Sequence, residues 1–103
     1  MKANKMVKRT KRNQTCHDES VRRRAIGLEA NGWGVNADIS GYSRPNILNG
    51  SIPDIDATKG KKRRIIEVET PDTRFTDLEQ HRNLRKFAKE NKKTEFRVRT
   101  CGQ

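Results

Sequence analysis

Long apolar runs are missing from this 103-residue chain, whose apolar content is only 30%. No stretch approaches the roughly 20 apolar residues that a membrane-spanning helix needs. The N-terminus has no apolar segment of the kind that marks a signal peptide. Aromatics are scarce: three Phe, one Tyr and one Trp. That is too few for a platform on which nucleic-acid bases stack. Two cysteines, Cys16 and Cys101, fall short of a secreted disulfide framework. Cytoplasmic residence is the simpler expectation, although both cysteines lie near the ends of the folded part, where they could meet. Acids are outnumbered, 13 against 24 Lys and Arg, for a formal net charge of +11. A balance this basic points to a polyanion partner, most often nucleic acid, and away from a membrane.

The length suits one small domain. Residues 1–14 carry Lys2, Lys5, Lys8, Arg9, Lys11 and Arg12 and no acid. They are expected to form a disordered basic arm, either a clamp on phosphates or a solvated tail. Residues 15–103 are expected to form the single folded domain.

Asp18 to Asn31 reads as a helix, because Val21, Ala25 and Leu28 recur on one helical face. Ile26 widens that face, Asp18 caps the start and Asn31-Gly32 ends it. Arg22, Arg23 and Arg24 are expected on the outer surface. A weak strand follows over 33–40, then a Gly- and Asn-rich loop over 41–50. A second strand spans 52–58, with Pro53 at its start. Lys59-Gly60-Lys61-Lys62 turns the chain into the strongest strand, 64–70. Thr76-Asp77-Leu78-Glu79 fits a capping box at the start of a second helix. Leu78, Leu84, Phe87 and Ala88 make its apolar face, and Arg82, Arg85, Lys86 and Lys89 its basic one. A last strand covers 95–101. The order is α-β-β-β-α-β, an α/β class.

Asp54, Glu67 and Glu69 stand out because carboxylates avoid the apolar middle of a strand unless they are paired or bind a metal. Period-two alternation puts Glu67 and Glu69 on the same face as Ile65. An antiparallel hairpin brings Asp54 across from Glu67. Oxygens so placed suit one hard cation such as Mg²⁺, an ion that commonly bridges to substrate phosphate. It acidifies water and stabilises charge on phosphate oxygens. The plainer reading is a set of solvent-facing acids balanced by Lys61, Lys62, Arg63 and Arg64. Cys16, His17, His81 and Cys101 fit no usual zinc spacing. His81 is expected at the surface or half-buried.

Three segments carry a family resemblance: Gly32-Trp33-Gly34-Val35, Ile52-Pro53-Asp54-Ile55 and Ile65-Ile66-Glu67-Val68-Glu69. With the element order, they resemble the PD-(D/E)XK nuclease superfamily, nearest to its archaeal Holliday-junction-resolvase-like branch. The resemblance implies a restriction-endonuclease-like core, a small mixed sheet flanked by helices, over about residues 18–101. It also implies Mg²⁺-dependent cleavage of DNA. By that resemblance Asp54 and Glu67 are metal ligands, the Val68 carbonyl is a third, and Gln80 supports the site. Glu69 stands where the family usually has lysine. A metal-linked Glu on the family's first helix falls near Val21 here, and neither Glu19 nor Glu29 matches it cleanly.

The resulting expectation is a DNA endonuclease using Mg²⁺, or Mn²⁺ in its place, with Asp54, Glu67, Glu69 and Gln80 as catalytic residues. Lys8, Arg9, Lys11, Arg12, Lys61, Lys62 and Arg63 would meet DNA phosphates. A homodimer would supply two sites for two cuts. The competing readings are a nucleic-acid-binding protein that keeps the fold without the chemistry, and a basic accessory subunit of a larger complex.

Overall fold

The computed structural model describes residues 10–71 and 77–102. Lys8, Arg9 and Thr76 of the capping box lie outside the described residues. Helix α1 spans Lys11–Ala30 and starts well before Asp18. Thr10 is its cap, accepting from the Asn13 N–H at 3.1 Å. Asp18 instead sits inside the helix, where Gln14 donates to it at 2.9 Å. Lys11, Arg12, Asn13 and Gln14 are therefore helical rather than part of an arm. The buried face runs His17, Ser20, Val21, Ala25, Leu28. It extends the expected stripe one turn back, and Ile26 turns outward at 55% exposure.

Strand β1 covers Gly34–Ala37, β2 covers Ile55–Lys59 and β3 covers Lys62–Glu69. These three form an antiparallel meander. Between β2 and β3 the turn is only Gly60 and Lys61. Gly60 takes φ 61°, the positive value that a two-residue hairpin with glycine in its first position needs. Helix α2, Leu78–Glu90, crosses over to β4, Thr94–Thr100, which runs parallel to β3. The result is an α/β fold with one mixed sheet, in the order β1-β2-β3-β4.

Each face of the sheet buries one cluster. Val21, Ala25 and Leu28 of α1 pack on Ile55, Ala57, Ile66 and Val68. On the other face Leu84 of α2 packs on Ile65 and Leu48, with Phe87 and Phe96 alongside. Leu78 does not join them and is 60% exposed. It is the first residue of α2, and the buried residues of that helix are His81 and Leu84, one and two turns further on. Leu84 is fully buried and anchors that helix. Leu84→Ala is expected to cost about 3 kcal/mol, by transfer and cavity terms together. The midpoint of urea unfolding measures it.

Cys16 on α1 and Cys101 just after β4 do meet: they are joined by a disulfide, with Cα atoms 5.8 Å apart. A bonded pair removes the cysteine argument for a reducing compartment, because disulfides persist mainly in oxidising ones. Among the described residues no helix is long and apolar enough to cross a membrane.

Candidate metal centre

The β2–β3 ladder pairs Ile55 with Ile66. One residue back, Asp54 therefore faces Glu67. There β2 has ended while β3 continues to Glu69, so the backbone on that side needs other partners. The carboxylates supply them. Val68 N–H donates to Asp54 Oδ2 at 2.8 Å, and Asp54 N–H donates to Glu67 Oε2 at 2.7 Å.

Side chains from both helices complete the cluster. Gln80 at the start of α2 donates through Nε2 to Glu67 Oε1 at 2.8 Å and to the Ile52 carbonyl at 3.1 Å. His81, next along α2, places Nε2 2.7 Å from Glu69 Oε2. Its ring lies 6.0 Å from that of Phe96, tilted by 58°. From the other helix, His17 places Nε2 3.1 Å from Asp54 Oδ1, and its Nδ1 is 2.9 Å from Asp18 Oδ1. Glu67 and Glu69 are 0% exposed and Asp54 is 2% exposed. These acids are not the solvent-facing set of the plainer reading.

Three ligand atoms, one each from Glu67, Glu69 and His81, lie within 4.8 Å of one another and could hold a metal ion. Two carboxylates and an imidazole are an ordinary donor set for a divalent cation. Burying several carboxylates together is costly, and a cation offsets that cost. The donor set thus fits a metal. It differs from the expected one: His81 joins Glu67 and Glu69, while Asp54 stands beside the group, bonded to Val68 through the N–H. Histidine was missed because periodicity counts apolar residues. The available signal was spacing, since His81 precedes Leu84 by three and His17 precedes Val21 by four, each on a buried helical face.

The expected phosphate-binding residues divide. Lys61 and Lys62 are exposed at the hairpin turn, and Lys11 and Arg12 are exposed on the first turn of α1. Arg63 is committed inward. Its Nε and Nη2 grip the two oxygens of buried Asp56 at 2.9 and 2.5 Å, and its guanidinium lies 4.8 Å from the Phe87 ring centroid. The hydrogen bonds to Asp56 hold the Arg63 pKa above its usual value. Arg63→Ala is expected to cost about 3 kcal/mol, because it strands the Asp56 carboxylate in the interior. Arg63→Ala combined with Asp56→Ala should recover part of that loss in thermal denaturation.

Comparison with protein-family models, with curated proteins and with solved structures finds no match for this chain.

Proposed function

We propose that this protein is a divalent-metal-dependent nuclease that hydrolyses phosphodiester bonds in DNA, on a restriction-endonuclease-like core of the PD-(D/E)XK type. The observation that carries the reading is the buried cluster of Asp54, Glu67, Glu69 and His81 in a chain of formal net charge +11. The order α-β-β-β-α-β is the one that the resemblance implies.

Glu67, Glu69 and His81 would hold the cation. Mg²⁺ prefers an all-oxygen octahedron and keeps its waters, so an imidazole donor favours Mn²⁺. A bound cation supplies positive charge to phosphate oxygens and acidifies water. The protein's own groups orient that chemistry. Gln80 fixes the Glu67 carboxylate through its amide. His81 Nε2 lies 2.7 Å from Glu69 Oε2, a contact that orients the ring and restrains Glu69. His17 does the same for Asp54 from α1, near the place where the family resemblance calls for an acid. Glu29 is occupied elsewhere, accepting from the Tyr42 hydroxyl at 2.8 Å.

One observation favours a non-catalytic nucleic-acid-binding protein of the same fold. Asp54 and Glu67 also satisfy backbone N–H groups where β2 ends, a structural job that needs no metal. Incubation of plasmid and branched DNA with Mg²⁺ or Mn²⁺ separates the two readings. Nicking that requires metal and disappears in Glu67→Gln supports the nuclease. DNA binding without cleavage in either metal leaves the binding protein.

A further inference from the structure

The α1 face of the sheet is as basic as the α2 face is acidic. On β3, Arg64 shares the α1 face with Ile66 and Val68. On β4, Arg97 and Arg99 pair with Ile66 and Val68 and so share it too. Between these side chains and the C-terminal half of α1 lies a cavity of about 310 Å³, lined by Arg24, Trp33, Arg64, Arg97 and Arg99. Arg24, expected on the outer surface, is turned into it. Among the described residues the buried Arg24 Nε has no hydrogen-bond partner. Burial, then the charges of Arg99 and Arg23, push its pKa below the usual value.

Acid is short here. Glu95 accepts from Arg64 Nε at 3.1 Å and from Arg97 Nη2 at 2.8 Å. Among the described residues Arg24 and Arg99 have no carboxylate partner. Trp33 holds the Arg64 guanidinium 4.6 Å from its ring centroid. Trp33 and Arg64 also border a neighbouring cavity of about 650 Å³, lined by Lys59, Lys61, Lys62 and Lys93.

We propose that this trough is a second nucleic-acid site, holding the backbone phosphates of a strand on the face of the sheet opposite the metal centre. Guanidinium groups match phosphate oxygens in geometry and charge. Cations spread over two adjoining cavities offer several phosphate seats, where a lone small anion needs one. The end of α1 at the cavity is its C-terminal end. It offers an isolated phosphate none of the N–H groups that helix N-termini provide. The site stands apart from the nuclease reading, because its attraction is electrostatic and needs no metal.

The test is a titration in EDTA, following the anisotropy of a fluorescein-labelled single-stranded oligonucleotide. Arg97→Gln and Arg99→Gln should each weaken binding about tenfold, the usual effect of losing a charged hydrogen bond. Each should also flatten the salt dependence by about 0.7 in log–log slope. Glu95→Gln, which frees Arg64 and Arg97, should tighten binding about threefold. Glu95 is exposed and outside both cores, so this variant reads out even where an arginine variant fails to fold. Affinity unchanged or weakened in Glu95→Gln overturns the proposal. So does inorganic phosphate binding that is lost in the arginine variants while oligonucleotide binding stays intact, the behaviour of a small-anion pocket. Binding in EDTA by a protein that never cleaves counts against the metal centre alone.

Discussion

Glu67→Gln is expected to reduce Mn²⁺-dependent DNA cleavage by about a thousandfold or more, because a lost metal ligand forfeits several kcal/mol of transition-state stabilisation. The fold should survive. The substituted amide keeps the length of the side chain, yet only one of its two terminal atoms accepts a hydrogen bond. Either the Asp54 N–H or the Gln80 amide then loses its partner, at a cost of about 1–3 kcal/mol. Stability and activity should therefore separate: a modest fall in unfolding midpoint beside a near-complete loss of cleavage. Binding linkage gives a second readout. Mn²⁺ at about a hundred times its Kd adds roughly 2.7 kcal/mol to the native state. That rise should appear in the wild-type protein and vanish in the variant. A wild-type melting curve indifferent to Mn²⁺, together with DNA left intact, would reduce the cluster to its structural role.

The second large effect is on folding. Reduction of the Cys16–Cys101 bond is expected to cost about 4–5 kcal/mol. The bond closes a loop with a sequence separation of 85 residues, and the entropy returned to the unfolded chain grows with loop length. Domains of this size have only about 5–15 kcal/mol in total. With two small apolar clusters, this protein has little to spare, so a reducing agent should lower the melting temperature by about 20 °C or more. The Cys16→Ser, Cys101→Ser double variant should melt where the reduced protein does and ignore the reductant. A midpoint that moves by only a degree or two on reduction would show that the crosslink carries little of the stability.

These two expectations draw on different parts of the sequence, and only one part was legible. The Asp54–Glu67 contact follows from local rules. Period-two alternation fixes the face, and a hairpin fixes the partner strand, so carboxylates 13 residues apart end up adjacent. The order of elements came from apolar periodicity and turn residues in the same way. What local rules missed were residues of mixed character and long-range pairings. His17 and His81 occupy core positions on their helices, but a histidine does not register in an apolar count. Leu78 and Ile26 did register and point outward, because a helical face is decided by what packs on it. Thr10 was hidden by the basic run around it. The sequence left the two cysteines free to meet near the ends of the folded part, but their bond, from the first helix to the residue after the last strand, is a proximity set by the whole topology.

The row of arginines on β4 has one more consequence. β4 and β1 are the edges of the sheet, where unpaired backbone groups invite another copy of the chain to add a strand. β1 is only four residues long and offers little to pair with. β4 is longer, and its side chains on the α1 face are Glu95, Arg97 and Arg99. A neighbouring copy laid antiparallel along it, in the register that sets Arg97 opposite Arg99, would bring guanidinium groups side by side, which is repulsive on a shared face. The arginines proposed to hold phosphates on one face thus also disfavour that strand addition at the rim of the sheet.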